Sequence, residues 1–155
     1  MQQDLVKAWD MLPLTWTNKV AYLTHQFLKL EQTECPVEHI FEGDKYIREM
    51  TIPAGTLFLG RTHRHGHEVQ LLKGSVIHVT EHGKFPVDAY HSVHTTPGYN
   101  MVAYIVTDVV CRSVHPNPTG SRDIQALEDD AFESVEALNL LGKSIHEQME
   151  GLWLA

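Results

Sequence analysis

The stretch Gly60–Gly74, GRTHRHGHEVQLLKG, places histidines at positions 63, 65 and 67 and then turns apolar. On an extended strand side chains alternate between faces, so residues at alternate positions share one side. Imidazole is a ligand for zinc, iron, nickel and copper, and a site needs three or four donors meeting at one point. Same-face neighbours on a strand lie about 6.6 Å apart at roughly 3.3 Å rise per residue. Two such histidines can share an ion, but the next donor has to come from a second strand. The competing reading is a solvated edge whose neutral imidazoles hydrogen-bond to loops.

Short runs of strand formers extend on both sides of this stretch. Between Tyr46 and His115 they read YIREMTI, TLFLG, HEVQLL, SVIHVT, FPVDAY, NMVAYIVT and VVCRSV. Gly- and Pro-containing turns separate them, including PAG, EHGK and Pro97-Gly98, which predicts an antiparallel sandwich or small barrel. No segment of helical period interrupts the run, so a parallel α/β sheet is excluded.

Helical patterns flank the strands. In TWTNKVAYLTHQFLKLEQ, Trp16, Val20, Leu23, Phe27 and Leu30 follow a 4-3-4-3 spacing, with Thr15, Thr17 or Asn18 as the N-cap. DLVKAWDML, before it, has the makings of one or two helical turns. After the loop HPNPTGS, Ile124, Leu127, Ala131, Val135 and Leu138 fall on one face of a helix. Asp123, Glu128, Asp129, Asp130, Glu133 and Glu136 mark its other side as solvated. The tail EGLWLA is apolar, and Trp153 is expected to dock on its own chain or on a neighbouring subunit. The expected organisation is a helical extension over residues 1–45, a β-barrel over 46–117, and an acidic helix with an apolar tail over 118–155.

The segment IREMTIPAGTLFLGRTHRHGHEVQLLKGSVIHVT resembles the first motif region of the cupin superfamily, which implies a jelly-roll barrel. That motif runs G-x5-H-x-H-x3-4-E-x6-G. Anchored on Gly74, it sets His67 at the glutamate position, His63 at the second histidine and Arg61 at the first. The stretch from Met50 to about Phe132 is most similar to small cupin-domain proteins encoded by tailed bacteriophages, and covers a little over half the chain. The second motif, P-x-G-x2-H-x3-N, survives only as Pro97-Gly98, with Met101 where its histidine would stand. A thioether is a poor ligand for zinc or non-haem iron. If Thr107-Asp108 closes a two-residue hairpin, Asn100 lies across from His115, which can then replace the missing histidine. Cys111 and Ser113 would share its strand face.

The expected site therefore has His63, His67 and His115 as metal ligands, with His65 as a fourth candidate. The cofactor would be a divalent metal: zinc, iron, manganese or nickel. Arg61, Arg64, Tyr104 and Arg112 are candidate ligand-binding residues for a small molecule. Glu49 also has a place on the barrel list, whereas Glu68 alternates away from the histidines. His78 has no assigned face, His91 and His94 belong to the rim, and His25, His39, His82 and His146 to the surface.

The chain has 155 residues, enough for one domain with a real core. Twelve Lys and Arg against twenty Asp and Glu give a net charge of -8, which excludes a broad surface for duplex nucleic acid or anionic membrane. The N-terminal MQQDLVKAWDML lacks the pattern of a signal peptide, and no apolar run approaches the roughly 20 residues that span a bilayer. Two cysteines, Cys35 and Cys111, suit reduced thiols in the cytoplasm, the host's if the protein is phage-encoded. Three functions stay open at this point. They are a metal-binding barrel, with or without catalysis, a non-catalytic binder of a host metabolite or signalling nucleotide, and a virion structural or assembly protein. A homo-oligomer, dimeric by symmetry base rates, is expected in each case.

Overall fold

Strand pairing in the computed structural model, which describes residues 15–153, is antiparallel throughout. Nine strands form in chain order: β1 (Val37–Glu42), β2 (Lys45–Ile52), β3 (Leu57–Leu59), β4 (Glu68–Lys73) and β5 (Ser75–Thr80), followed by β6 (Gly83–Asp88), β7 (His91–His94), β8 (Val102–Ile105) and β9 (Val109–Pro116). One sheet has the order β1-β2-β9-β4-β7 and the other β3-β8-β5-β6. The pairs β5·β6, β4·β7, β3·β8 and β2·β9 nest around the β5–β6 hairpin, as in one long antiparallel ribbon. Rolling that ribbon creates the remaining contacts, β4·β9 and β5·β8. This is a jelly roll, the predicted fold class.

Local chemistry explains the joints. Glu81 and His82 make the two-residue turn of the β5–β6 hairpin, with Thr80 opposite Gly83. Pro86, which has no amide proton for a ladder, sits on β6 at a sheet edge. Gly74 has φ +93°, and a Cβ there would run into the Asp108 carbonyl oxygen. Between the sheets, Ile52, Leu71, Val76, Ala103, Ile105 and Val109 form the apolar core.

Three details differ from the sequence reading of the barrel, one of them the strand β7 (His91–His94), where rim residues were expected. Strands begin at Val37 rather than near residue 46, because VEHIFE pairs in full register with KYIREM. And β8 and β9 do not form a hairpin: they lie in different sheets, and Val106–Asp108 passes from one to the other. That crossing is tied down by the Thr107 hydroxyl, which accepts from Ser75 N at 2.9 Å, and by the Asp108 carboxylate, which accepts from Ala54 N at 2.9 Å.

Helices flank the barrel in sequence: α1 (Trp16–Phe27), α2 (Ile124–Ala131) and α3 (Val135–Trp153). The predicted single acidic helix is thus two. Asp123 caps α2, accepting from Ala126 N, and Ser134 Oγ accepts from Ala137 N at the start of α3. Between them Phe132 is extended (φ -122°, ψ 146°) and forms a β-bridge with His63. Thr33–Glu133, the barrel with α2, is one compact unit; α1 and α3 belong to the other. In that second unit Thr15 is the N-cap of α1, and Ala21, Tyr22 and Ile145 form the shared core. Gly142 lies so close to the Ala21 carbonyl that any side chain there would collide with it. DLVKAWDML and the side chain of Trp153 lie outside the described residues. No helix among the described residues is long and apolar enough to cross a membrane.

Candidate functional site

Residues 61–67 are not a strand. Arg64 and His65 form a bend, and Gly66 follows it, close enough to the Thr95 carbonyl that a Cβ would stand 2.8 Å away. On a straight strand His63 and His67 would lie about 13 Å apart. The bend instead stacks their rings with centroids 3.8 Å apart. Ring centroids of His115, from β9, lie 4.9 Å from His67 and 5.6 Å from His63. All three side chains are buried.

Backbone contacts hold each histidine in place. His63 N donates to the Tyr99 carbonyl at 2.9 Å, and the His63 carbonyl accepts from Gly98 N at 2.8 Å. Thr95 wraps His67: its amide and its hydroxyl both donate to the His67 carbonyl, at 2.8 and 3.1 Å. Asn100 spans the loop below, accepting from Thr62 Oγ1 and donating to the Gly60 carbonyl. His115 lies opposite the buried Tyr46 in the β2·β9 ladder, and the Tyr46 hydroxyl shares a 2.7 Å hydrogen bond with His39. His39 therefore supports the cluster from behind, where the sequence suggested an ordinary surface residue.

The ring nitrogens are not equivalent. His63 Nδ1 faces the Tyr99 carbonyl at 3.4 Å, and His67 Nδ1 faces the His65 carbonyl at 3.2 Å. A carbonyl can only accept, and so does Thr95 Oγ1, which stands 2.9 Å from His67 Nδ1 and gives its own proton to the His67 carbonyl. Both Nδ1 atoms therefore carry the proton, and both Nε2 atoms present a lone pair. Those two Nε2 atoms are buried and have no hydrogen-bond partner among the described residues. His115 Nε2 is turned to Ser113 Oγ at 3.1 Å. Burial, reinforced by the two neighbouring imidazoles, holds the pKa of His63 down to about 3. Burial and then His67 and Arg48 hold His115 down to about 4, and burial lowers His67 as well. The cluster is thus neutral at physiological pH.

Phe132 closes the cluster. Its ring lies 4.7 Å from the His63 ring and 5.9 Å from that of His115, and Arg48 and Arg61 lie against it. The main chain of the mouth continues this contact, with Arg64 N donating to the Ala131 carbonyl and Glu133 N to the Thr62 carbonyl.

The other predicted residues fall elsewhere. His65 is turned out by the bend, 59% exposed, with Nε2 3.6 Å from Asp130. Arg61 lines the barrel cavity beside His63, whereas Arg64 Nε donates to the Phe132 carbonyl at 2.7 Å and its Nη1 pairs with Glu133. Tyr104 points away from the core; it is 44% exposed, while its neighbours Ala103 and Ile105 are buried. Arg112 is among the residues that border the barrel cavity, but its side chain alternates to the face of β9 opposite Cys111, Ser113 and His115 and pairs there with Glu49 at 3.3 Å. Glu49 therefore does not enter the barrel. Glu68 accepts from Gln70 and Ser92, away from the histidines. His78 and His91 border a smaller cavity of about 100 Å³ that shares Val69, Tyr99, Met101 and Cys111 with the one beside His63.

Two residues escaped the sequence reading: Arg48 and Phe132. Their signals were present, Arg48 in the alternation Tyr46, Arg48, Met50, Ile52 and Phe132 as an aromatic interrupting an acidic helix pattern. The acidic residues of α2 are also not simply solvated, since Glu128 lies between Arg48 and Arg61.

The sequence matches no family model and no curated protein. Cupins are among its neighbours in solved structures. An RmlC-like cupin family protein with a double-stranded β-helix fold, from Methanocaldococcus jannaschii, is 13% identical over 57% of this chain and 86% of its own, with a TM-score of 0.45. A cupin domain from Bordetella pertussis is 16% identical over 56% of this chain and 97% of its own, with a TM-score of 0.43. Ectoine synthase from P. lautus is 13% identical over 57% and 68%, with a TM-score of 0.47. Likeness at this level concerns the barrel and says nothing about activity, which depends on the side chains at the mouth.

Proposed function

We propose that the protein is a metal-binding jelly-roll protein in which His63, His67 and His115 hold one divalent transition-metal ion at the barrel mouth. The observation that supports this reading is the pair of buried Nε2 lone pairs on His63 and His67, left without a donor while Nδ1 of each ring faces a carbonyl. Carbonyls on the far nitrogen are the usual outer partners of metal-bound imidazole, fixing tautomer and ring orientation. An unpaired buried acceptor costs free energy that a cation would offset.

The fit is incomplete as the side chains stand. Among the described residues no three His, Cys, Asp or Glu side chains are already gathered around one point. The rings of the cluster stack, and His115 Nε2 is engaged by Ser113. His63 and His67 offer unpartnered Nε2 atoms, but their stacked rings aim the in-plane lone pairs alongside one another. One of these rings, and His115 away from its hydroxyl, must therefore rotate before three nitrogens meet one ion. With imidazoles and no carboxylate in the set, zinc, nickel or iron suits the site better than manganese. Such an ion supplies Lewis acidity to whatever oxygen or nitrogen of a small molecule enters the barrel. The chain's own contribution is to exclude water with Phe132 and keep the imidazoles unprotonated.

Protein purified without a histidine tag should contain about one equivalent of metal by elemental analysis, or take up one equivalent of zinc, nickel or cobalt after EDTA treatment. His63→Ala and His67→Ala should abolish that uptake. A folded wild-type protein that carries no metal and takes none up would overturn the reading.

A further inference from the structure

Arg48 carries a positive charge into a barrel wall. Along β2, Tyr46, Arg48, Met50 and Ile52 share one face; Tyr46 and Ile52 are buried, and Met50 packs on the core. The Arg48 side chain is 13% exposed. Arg61, from the segment after β3 in the other sheet, meets it over the same ring. The two guanidinium carbons lie 4.8 and 4.4 Å from the centre of Phe132.

Counter-charge is short here. Among the described residues one carboxylate reaches the pair, that of Glu128, at 3.9 Å from Arg48 Nη2 and 3.5 Å from Arg61 Nη1. Charge-assisted N–H···O bonds normally close to about 2.7–2.9 Å. A single acid is stretched between two cations. The aromatic face below attracts a guanidinium but offers its in-plane N–H groups no acceptor. Among the described residues both Nε–H groups are buried and unpartnered, although the Arg48 guanidinium also hydrogen-bonds the Tyr46 side chain. An unpaired N–H is a costly state for an interior cation. The result is a positively charged chamber inside a chain whose net charge is -8.

Both arginines line a cavity of about 180 Å³, whose other walls include Met50, Phe58, Val69 and Met101. At about 30 Å³ per water-sized group, it holds on the order of six non-hydrogen atoms. Apolar walls with a few polar groups at one end are the usual make-up of a small-molecule site. We propose that this chamber binds a small monocarboxylate, its head bridging Arg48 and Arg61 and its apolar body against Met50, Phe58, Val69 and Met101. Inorganic phosphate, hydrated on every side, suits those walls poorly, whereas Glu128 already presents a carboxylate to the same pair. The inference rests on the barrel interior being the binding chamber, as proposed above, but does not require a metal on the histidines.

Butyrate, with six non-hydrogen atoms, is the probe, titrated into the intact protein by calorimetry with and without EDTA. Saturable binding of one equivalent, unchanged by EDTA, is expected. Arg61→Gln should weaken it about tenfold or more, as expected for a lost hydrogen bond to a charged group. Arg48→Met should do the same if it folds; Arg61 is the more exposed of the two and keeps the test valid if it does not. Glu128→Gln should tighten binding severalfold, because it removes the competing carboxylate. No binding, equal binding of n-butanol, or displacement by phosphate at lower concentration than butyrate would overturn the assignment. Binding that disappears with EDTA would move the carboxylate onto a metal and equally remove it from the arginines. Metal content is measured separately, so failure of the three-histidine reading is distinguishable from failure of this one.

Discussion

The same three imidazoles that are neutral in the fold would be ordinary bases in the unfolded chain, and that difference has a sign. Unfolded histidine titrates near 6.5, while burial keeps His63 unprotonated down to about 3 and His115 down to about 4. Between those values the unfolded state binds more protons, so stability is complete above about pH 6.5 and falls as the solution is acidified. His63 and His115 each contribute about 1.4 kcal/mol per pH unit inside their windows. For EDTA-treated protein, urea midpoints at pH 7.5, 6.5 and 5.5 should drop over the last step, and His63→Gln should flatten that step by roughly its share. An unchanged slope would mean that His63 is accessible to protons in the native state. His65 gives the contrasting prediction. Exposed and paired with Asp130, it can be replaced by alanine with metal uptake intact, whereas loss of uptake in His65→Ala would place it in the ligand set. The three alternate histidines made the cluster legible in the sequence, but the geometry behind that reading was mistaken. Strict alternation would have kept His63, His65 and His67 together; the bend at Arg64–His65 separates the middle one and brings the outer two into contact. A bend depends on what Thr95 and Tyr99 offer from distant chain, which local patterning does not contain.

Phe132 shows how an element boundary becomes part of a site. Ile124, Leu127, Ala131, Val135 and Leu138 keep helical period across it, so a sequence pattern alone reads through the break. What stops the helix is tertiary: the Phe132 backbone pairs with His63, its ring is 2% exposed, and Ser134 restarts the helix as a cap. The strands were far more legible, because period-two patterning between turn residues is local. The two missed strands, β1 and β7, have weak apolar alternation of their own and exist through their neighbours β2 and β4. Phe132→Ala should therefore act at two places. It removes a large buried ring, a change that typically costs about 3–5 kcal/mol, and it opens His63 and His115 to water. Chemical denaturation should show the loss, and histidine NMR titration should show the His63 pKa rising toward its ordinary value. A variant with wild-type stability and an unmoved His63 would mean that Phe132 neither packs the mouth nor shields it.

The molecule divides in a way that no local pattern announces. Helices from opposite ends of the described sequence, α1 and α3, form one compact unit, with the barrel and α2 as the other. Amphipathic spacing said that each helix had a face to bury but could not name the partner; the Gly142–Ala21 contact that joins them involves a backbone carbonyl and a residue with no side chain. Among the described residues α1 buries Val20, Ala21, Tyr22 and Leu23 and α3 buries Ile145, with Leu138 and Met149 partly buried against them. Leu140 and Leu141 on α3 are 67% and 41% exposed, and Leu28 after α1 is 50% exposed. Adjacent exposed leucines on a helix are surface that association can remove from water. We therefore expect a homo-oligomer, a twofold dimer first, because a two-helix face can meet its own copy with each contact made twice. Light scattering should give twice the 17.6 kDa chain mass at micromolar concentration. Leu140→Glu with Leu141→Glu should shift it toward the monomer while leaving metal uptake and butyrate binding at the barrel unchanged. A wild-type protein that scatters as a monomer would sink the prediction. An oligomer indifferent to both leucines would assign the interface to another surface of the chain.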